Sequence, residues 1–425
     1  MPTTIKSFFV STLLLMFLTL NSLSSTAYIS SESARFTLLT CTPGPDLYSL
    51  FGHSAIRYQD TIRGKMVDWV YNYGTFIFDE DFYVKFARGK LDYVLSKQDF
   101  PFFQEEYIYS GRGIFEQELL FTSKEKQKLL DLLEENYLPQ NRTYRYDFFY
   151  DNCSTRIRDI IIHATSGLES TSSMGFTHPD ADEIKRISRI DFSFVYPQSN
   201  TFRQTIQSYL DYQPWSDFGI DLALGFPCDK EVGKGEYMFL PDSLMKDFNY
   251  AHYDGRALAA QAIEILPQEF ELTMDTILTP MLAMALFFIL HLVVGILCRR
   301  KKRIQISDRF LFFITGLLGV FVVFLWFFTD HTATKWNFNL LWANPLNLYM
   351  AFGPARTWSG WKMKWMKIYF FILLSTLGFW FVLPQRLNMA VIPIIFALLF
   401  SVLKIIRPRF LFRVNDDKSV AQVSV

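Results

Sequence analysis

The feature that most constrains this chain is a long apolar segment that ends in a basic cluster. Ile277 to Cys298 is apolar over enough residues to cross a bilayer, and Arg299-Arg-Lys-Lys-Arg303 follows it directly. Because basic loops stay on the cytoplasmic side, the cluster fixes this end of the segment in the cytoplasm. The residues before the segment are therefore predicted to lie on the exported side.

Further apolar segments follow at about 310–329, 367–383 and 389–406, and each is long enough to span a bilayer. The stretch 336–352 is ambiguous, because four asparagines and Pro345 interrupt its apolar run. If it spans, the basic residues beyond it are cytoplasmic; these are Arg356, Lys362, Lys364, Lys367, Arg407, Arg409 and Arg413. The positive-inside rule therefore favours five spans over four.

The N-terminus has the pattern of a secretory signal. Lys6 precedes an apolar run from Ser7 to Leu20, and Ser25-Thr-Ala27 is a small-residue cleavage site. The alternative is an uncleaved anchor, and Tyr28 onward is exported in both cases. The chain is thus predicted to divide into a signal peptide (1–27), an exported ectodomain (28–270), a transmembrane domain (271–413) and a C-terminal tail (414–425).

Composition and cysteine usage narrow the function classes. The net charge is zero, which gives no general attraction to nucleic acid, and no His, Cys and Asp spacing suggests a metal or other cofactor. Cys298 lies at the membrane edge, and only Cys41, Cys153 and Cys228 lie in the ectodomain, so at least one of these three is unpaired within it. A Cys41–Cys228 disulfide that leaves Cys153 free is one alternative.

The ectodomain mixes strand and helix patterns without an internal repeat, which predicts an α+β fold. Strands are predicted at 34–41, around His53, and at 66–74, 91–95, 116–121 and 146–150. Helices are predicted just before Leu50, at 79–88, at 123–136 with Thr122 or Ser123 as cap, after residue 152, and at 201–210 and 254–266. The stretch 166–182, rich in Ser, Thr, Gly and Pro, is predicted to be a long loop.

One stretch of the ectodomain has the residues of a thiol site. Asp151-Asn152 is turn chemistry, and the isoleucines that follow share one helical face, so Cys153 falls in the first turn of a helix. A helix N-terminus stabilises a thiolate, and its free N–H groups can hold an oxyanion. The alternative is that Cys153 is a small buried apolar residue, as most free cysteines are.

A base for Cys153 is predicted at His53. On the strand 66–74, the period of two places Asp68 and Asn72 on one face, and either of them could orient His53; Asn72 ranks first. The alternative for Asp68 is a surface strand charge. Arg57 shares the face of His53 and is predicted to contact an anionic headgroup.

Other polar residues are predicted to contact substrate. Asn152 and Arg156 flank Cys153, although an Asp151–Arg156 ion pair that holds the turn is the favoured alternative for Arg156. Four more would lie at the surface of the membrane on its exported side, below the ectodomain, where polar side chains are costly unless they have a function. These are Asp330, His331, Asn337 and Asn339, and the alternative is that they cap helices and solvate the interface.

Five blocks of the chain together carry a family resemblance. They are Phe51-Gly-His-Ser-Ala-Ile-Arg57, Asn72-Tyr-Gly74, Asn141-Arg-Thr-Tyr-Arg-Tyr-Asp147, Asp151-Asn-Cys-Ser-Thr-Arg-Ile-Arg158 and Trp336-Asn-Phe-Asn-Leu-Leu-Trp-Ala-Asn-Pro345. The chain resembles the Lnb-type lipoprotein N-acyltransferases from Ala34 into the transmembrane domain. Trp215, Asp229 and Phe239-Leu-Pro-Asp242 also match family positions.

The resemblance implies a fold and an activity. The ectodomain is expected to be a circularly permuted papain-like domain, similar to lecithin:retinol acyltransferase, with the His strand before the Cys helix. An α-helical transmembrane domain of four or five spans follows it in the bacterial cytoplasmic membrane. The implied reaction moves a fatty acyl chain from a glycerolipid ester, through a Cys153 thioester, to the N-terminal amine of diacylglyceryl-modified lipoproteins. The donor is either a membrane phospholipid or the lipoprotein's own diacylglyceryl group.

Two other functions stay open at this point. A thiol amidase or peptidase acting on cell-wall peptide would use the same fold, but it would not need several membrane spans. A non-enzymatic envelope protein that binds a ligand would need a route for its signal, and the cytoplasmic loops are short.

Overall fold

The computed structural model describes residues 28–46, 48–76, 80–81, 84–85, 88–166, 189–192, 194, 196, 200–233, 235–274, 276–297, 306–352 and 360–406. Several sequence-based expectations lie outside these residues. They are the signal peptide, five of the ten residues of the helix at 79–88, the loop at 167–182, Cys298, the basic cluster 299–303, and the arginines at 356, 407, 409 and 413.

A seven-stranded sheet forms the centre of the ectodomain, with the strand order β10-β5-β1-β2-β3-β4-β6 and antiparallel pairing at each junction. The strands are β1 Arg35–Cys41, β2 His53–Ile62, β3 Lys65–Phe76, β4 Asp92–Asp99, β5 Ile114–Glu118, β6 Thr143–Arg145, β7 Ile190–Phe192, β8 Ala251–Tyr253, β9 Arg256–Ala257 and β10 Ile263–Leu266. The three short strands β7, β8 and β9 form a second sheet.

Helices cover both faces of the large sheet. The helices on the sheet are α1 Phe100–Ser110, α2 Ser123–Tyr137, α3 Cys153–Thr165 and α6 Pro241–Asn249, whereas α4 Phe202–Gln207 packs against the 3₁₀ turn Phe226–Asp229 and α5 Pro214–Ala223 packs against transmembrane helices. Because side chains of a strand alternate, Tyr71 of β3 packs in the core with α2 and α3, whereas Val70 packs with α1 on the other face. The α2 helix begins at the predicted cap, since the Thr122 hydroxyl accepts from the N–H of Glu125.

The predicted helix at 254–266 is wrong. Asp254 and Gly255 adopt positive φ angles of 47° and 81° and form the turn between β8 and β9. An Asp-Gly pair favours this tight hairpin turn, which interrupts any helix. Beyond it, Ile263–Leu266 alternates as a strand and extends the large sheet beside β5.

Three other local predictions also differ from the structure. Residues 147–150 form a turn rather than part of a strand, closed by two backbone hydrogen bonds between Asp147 and Asp151. The residues before Leu50 form a turn instead of a helix. Helices α1, α5 and α6 were not predicted.

The transmembrane domain contains α7 Pro280–Leu297, α8 Ile306–Phe327, α9 Leu346–Phe352, α10 Trp361–Gly378 and α11 Ile392–Ile406. Among the described residues, three helical segments are long and apolar enough to cross a membrane: α7, α8 and the segment Met389–Ile406, which includes α11. The α10 helix is also 18 residues long, but it begins with Lys362, Lys364 and Lys367.

The ambiguous stretch 336–352 is a broken helix that runs along α8. It consists of a 3₁₀ turn, Phe338–Leu341, and the seven-residue α9. At one end the Trp336 ring lies 5.1 Å from the Trp326 ring, and at the other Arg309 donates to the carbonyl of Ala351 at 3.2 Å. The segment therefore covers almost the full length of α8 in the opposite direction.

Candidate active site

The position of Cys153 follows from the cap of helix α3. The side-chain oxygen of Asn152 accepts from the N–H groups of Ser154 at 2.9 Å and Thr155 at 3.0 Å, and Thr155 accepts in return from the N–H of Asn152. This is a complete capping box, so Cys153 is the first residue of the helix. Its backbone N–H has no acceptor within the helix, as at every helix start, and it forms part of the positive end of the helix dipole.

Protein contacts hold the turn before Cys153 from several sides. The amide of Asn152 donates to the carbonyls of Phe148 and Phe239. Arg156 pairs with Asp151 through two bonds of 2.5 and 2.8 Å, and its guanidinium lies 3.7 Å from the centre of the Tyr144 ring. Asn152 and Arg156, predicted as substrate contacts, are therefore both engaged in holding the turn.

His53 is the first residue of β2, and it lies between Asn72 and Cys153. Its Nε2–H donates to Oδ1 of Asn72 at 2.6 Å. The Cys153 thiol is close enough to raise the pKa of His53 by its charge and hydrogen bonding, and Nδ1 is the ring nitrogen that Asn72 leaves for the sulfur. The structure thus brings together three of the predicted residues, one each from β2, β3 and α3.

The pair of Cys153 and His53 favours the charged forms of both groups. Burial alone raises the pKa of the Cys153 thiol, but the charge and hydrogen bond of His53, together with bonds from the Ser54 N–H and the Ser154 hydroxyl, lower that pKa below its usual value. For His53, burial lowers the pKa, and the interactions with Cys153 and Asn72 raise it above the usual value overall. A thiolate beside an imidazolium is the state that these directions favour.

Gly74 leaves space for the side chains of His53 and Cys153. It has a φ angle of 108°, which disfavours residues with a side chain. A Cβ atom at this position would lie 3.1 Å from Cε1 of His53 and 4.0 Å from Cβ of Cys153. Steric crowding at the site therefore explains why the Asn72-Tyr-Gly74 block ends in a glycine.

Two tyrosines beside Cys153 were not predicted as part of the site. The rings of Tyr93 and Tyr146 stack with centres 4.3 Å apart. Burial raises the pKa of Tyr93 to about 12, and the charge of Cys153 contributes to the rise; Tyr146 shows the same direction. The aromatic run at 146–150 was the available signal, but it was interpreted as a strand.

Asp68 and Arg57 form no hydrogen bond with His53 or Cys153 among those of the described residues. Arg57 binds the Asp68 carboxylate through two bonds of 2.7 and 2.6 Å, and it also pairs with Glu116 at 3.0 Å. Its guanidinium lies 3.4 Å from the centre of the Phe100 ring. Asp68 therefore does not orient His53, and Arg57 has its charge neutralised inside the protein.

The four polar residues that were predicted at the exported surface of the membrane lie where the ectodomain meets the transmembrane domain. Asn337 and Asn339 are 2% exposed, and their amides donate to backbone carbonyls of Asp221, Leu222 and Ala223 in α5. Asp330 is half-exposed and faces Lys90 and Arg145. The backbone of His331 lies against Gly89. For the two asparagines these contacts support the structural alternative.

The same outer loop touches the turn that precedes Cys153. The Thr332 hydroxyl donates to Oδ2 of Asp147 at 3.0 Å. The other carboxylate oxygen of Asp147 accepts from the N–H groups of Phe149 and Tyr150 within the turn. The residue just beyond α8 and the base of the thiol turn are thus in direct contact.

The other two ectodomain cysteines are free and buried. Burial raises the pKa of each thiol to about 12. The Cys228 thiol donates to the carbonyl of Ala333 at 3.3 Å, so Cys228 lies at the contact between the domains and is not bonded to Cys41. Of the three described cysteines, Cys153 alone is partly exposed and has a lowered pKa.

Two family models match the chain. The Lnb N-terminal periplasmic domain matches residues 23–189, and the Lnb transmembrane domain matches residues 270–408. No curated protein and no solved structure matches the chain. The two matched ranges contain all five sequence blocks of the resemblance and all the residues of the candidate site. The chain belongs to the Lnb-type lipoprotein N-acyltransferase family, with a periplasmic N-terminal domain joined to a transmembrane domain.

Proposed function

We propose that this protein is a lipoprotein N-acyltransferase that uses Cys153 as nucleophile and His53 as acid and base. The observation that carries the proposal is the position of His53, which is hydrogen-bonded to Asn72 and interacts on its other side with a thiol at the start of a helix. The family membership supplies the substrate classes: a glycerolipid ester as donor and a lipid-modified N-terminal cysteine as acceptor. The contact of Thr332 with Asp147 supports a site close to the membrane, where both substrates reside.

The first half-reaction forms a thioester. The Cys153 thiolate attacks the ester carbonyl carbon, and the N–H of Cys153 at the helix start stabilises the oxyanion. When the carbon–oxygen bond of the ester breaks, the departing alkoxide takes the proton from Nδ1 of His53. The products of this step are an acyl-thioester on Cys153, a free lipid alcohol and a neutral imidazole.

The second half-reaction forms the amide. The neutral N-terminal amine of the lipoprotein attacks the thioester carbonyl, and Nδ1 of His53 takes the proton that the amine loses. The carbon–sulfur bond then breaks, which returns Cys153 as a thiolate beside a protonated His53. Asn72 holds the ring orientation through both steps, because its oxygen accepts from Nε2–H throughout.

We also propose that the ectodomain is a circularly permuted papain-like domain. The order of its site residues supports this fold: His53 begins one strand, Asn72 lies on the next, and Cys153 begins a later helix. The proposed boundaries remain 28–270 for the ectodomain and 271–413 for the transmembrane domain, after a signal peptide at 1–27.

We propose five membrane crossings. The broken segment 336–352 supports this count, because it passes from the end of α8 near Trp326 to the end near Arg309. Lys362, Lys364 and Lys367 at the start of α10 then lie in the cytoplasm, in agreement with the positive-inside rule. This topology puts the ectodomain on the periplasmic side of the bacterial inner membrane.

The test is mass spectrometry of the N-terminal peptide of a reporter lipoprotein. Cells that lack this protein are complemented with the wild type, Cys153→Ser or His53→Ala. We expect N-acylated peptide only with the wild type, and its mass distinguishes a phospholipid donor, which gives a triacyl product, from the lipoprotein's own diacylglyceryl group, which gives a lyso product. Full acylation by a membrane-inserted Cys153→Ser variant would eliminate the thiol mechanism and favour a ligand-binding protein.

A further inference from the structure

An apolar cavity of about 190 Å³ lies between the ectodomain helix α5 and the transmembrane domain. Gly219 and Leu222 of α5 form one wall, Leu318 and Phe321 of α8 form a second, and Trp342 and Ala343 of the broken segment form a third. The cavity thus lies at the level where the periplasmic domain meets the outer side of the membrane.

The polar groups in its lining are already satisfied. The indole N–H of Trp342 donates to the side-chain oxygen of Asn339 at 2.9 Å, and the amide of Asn339 donates to carbonyls of α5. The cavity therefore offers an occupant almost only carbon, and an apolar cavity of this kind has little affinity for water. A hydrocarbon chain fits this chemistry.

Gly219 leaves its position in the cavity lining without a side chain. A glycine within a helix costs about 1 kcal/mol relative to alanine. Gly316 and Gly319 of α8 have a packing reason, because a Cβ there would collide with the backbone of Leu348 and Ala343. At Gly219 a Cβ would meet nothing within 4 Å, so close packing does not require the glycine. Gly219 is exposed and lines the cavity, so a larger side chain at this position has open space beside the cavity to occupy.

Apolar side chains line α8 from the cavity to the end of the helix that meets the outer loop. Phe321, at the cavity, is 48% exposed, and on the same face of α8 lie Phe324 and Phe328, the latter 64% exposed. The rings of Phe324 and Phe328 stack at 6.3 Å. Two to four residues beyond Phe328, the outer loop contacts Gly89, Arg145 and Asp147, which precede Cys153 in the site region.

We infer that this cavity holds the tail of the acyl chain that the enzyme transfers, and that Gly219 sets the chain length it accepts. The inference rests on the acyl-transfer function proposed above. The chain would enter from the lipid side along Phe328 and Phe321, with its carbonyl carbon at Cys153 and its distal part between α5 and α8.

The experiment measures which chain is transferred by the full-length protein in vesicles. Both the vesicle phospholipid and the diacylglyceryl group of a reporter lipopeptide carry equal amounts of lauroyl and palmitoyl chains, so either donor offers the same choice. Mass spectrometry of the amide product gives the palmitoyl-to-lauroyl ratio. We expect Gly219→Phe to lower this ratio by about tenfold relative to the wild type, because a filled pocket discriminates against additional methylenes. Gly219→Ala should change it far less.

The matched control is Gly378→Phe. Gly378 also has nothing within 4 Å of a Cβ, but it lies at the end of α10 and does not line the cavity. This variant should keep the wild-type ratio. Leu318→Trp narrows the same cavity from the transmembrane side and should repeat the shift even if Gly219→Phe does not fold.

A palmitoyl donor with a photoreactive group near its methyl end should crosslink to α5 or α8 residues of the cavity in the wild type. Unchanged ratios in folded Gly219→Phe and Leu318→Trp, or crosslinks only elsewhere, would overturn the inference, and lowered rates with an unchanged ratio would assign the cavity to the acceptor's chains. If the wild type transfers no acyl group at all, the proposed function is wrong and the inference fails with it.

Discussion

Nε2 of His53 lies 2.6 Å from Oδ1 of Asn72, on the neighbouring strand of the sheet. This bond fixes which ring nitrogen faces Cys153, since only Nδ1 is left for the thiol. It also distinguishes between Asn72 and Asp68, the two residues that the sequence predicted as partners of His53. The carboxylate of Asp68 is bound to Arg57 on the same strand pair, four residues before Asn72 along β3.

Asn72→Ala should therefore slow acyl transfer without abolishing it. Without the acceptor at Nε2, the ring of His53 loses its fixed orientation and its protonated form loses one of its supports. We expect a rate about a hundredfold lower, within the range that general acid–base groups contribute. The pH–rate profile should shift as well, because the pKa of His53 falls when its hydrogen bond to Asn72 is lost.

Asp68→Asn is the matched control for Asn72→Ala. It removes a carboxylate on the same face of β3, but one that does not touch His53, so its rate per folded molecule and its pH profile should stay close to the wild type. A loss of activity in Asp68→Asn equal to that in Asn72→Ala would mean that the orientation of His53 depends on the wider strand surface.

Cys153 should react with iodoacetamide at a lower pH than an ordinary thiol. Its pKa is lowered, so the thiolate, which is the reacting form, is already present at a pH where a normal cysteine is protonated. In His53→Ala the largest lowering influence is gone and burial dominates, so the midpoint of the reaction should move above that of an ordinary thiol. Peptide mass spectrometry across a pH series measures both midpoints.

Cys41 and Cys228 provide controls within the same molecule. Both are buried, with pKa values raised to about 12, so they should stay unlabelled while the protein is folded. Labelling of all three at similar rates would show that Cys153 has no special environment.

Some of the geometry of the candidate site was predictable because its signals are local. The cap of α3 depends on Asn152 and Thr155, three residues apart, and the face of β3 follows from the alternation of Asp68, Val70 and Asn72. The family blocks supplied the pairing of His53 with Cys153. What periodicity could not give was the partner of Arg57: Glu116 lies 59 residues away, on a strand that joins the sheet through β1.

The missed helix α1 has a different cause. Its buried residues, Phe100, Phe103 and Tyr107, have helical spacing, but Phe102, Ile108 and Tyr109 on the outer face are apolar too. With both faces apolar, the hydrophobic pattern carries no helical period. The predicted helix at 254–266 failed for the opposite reason, since a turn signal at Asp254-Gly255 was present and was overlooked.

Arg57→Ala should destabilise the ectodomain rather than weaken headgroup binding. Arg57 neutralises Asp68 and Glu116 together, and its side chain and that of Glu116 are about one-tenth exposed. Removing one partner of a buried pair costs about 3 kcal/mol or more of unfolding free energy. Thermal denaturation of the full-length protein in detergent should show a lower midpoint, and Arg57→Lys should fall between the two because it keeps the charge but loses the bidentate geometry.

The activity of Arg57→Ala, measured per folded molecule below its melting point, should remain close to the wild type. A variant with an unchanged melting midpoint and a sharply raised KM for the lipid donor would instead support the headgroup contact expected from the sequence.

A buried polar cluster joins three transmembrane helices and is also open to test. Oδ1 of Asp308 in α8 lies 2.6 Å from Nζ of Lys404 and accepts from the Ser401 hydroxyl at 2.7 Å, both in α11. Nε2–H of His291 in α7 donates to the same hydroxyl at 2.8 Å. A charge within a membrane domain is costly unless it is paired. Removing one charge of the cluster should therefore destabilise the packing of the helices more than removing both charges.

Lys404→Met should therefore lower stability more than the double variant Asp308→Asn with Lys404→Met. The single change removes the ammonium group 2.6 Å from the Asp308 carboxylate, and breaking a buried ion pair in this way costs about 3–5 kcal/mol. The double change removes both charges and leaves an amide that Ser401 can still hydrogen-bond. Thermal denaturation in detergent, followed by size-exclusion chromatography, measures the difference. Because the cluster lies far along the helices from the outer loop at Asp330, the acyl-transfer rate of the folded double variant should be unchanged. A double variant less stable than the single one would mean that the charges themselves, beyond their mutual neutralisation, hold α7, α8 and α11 together.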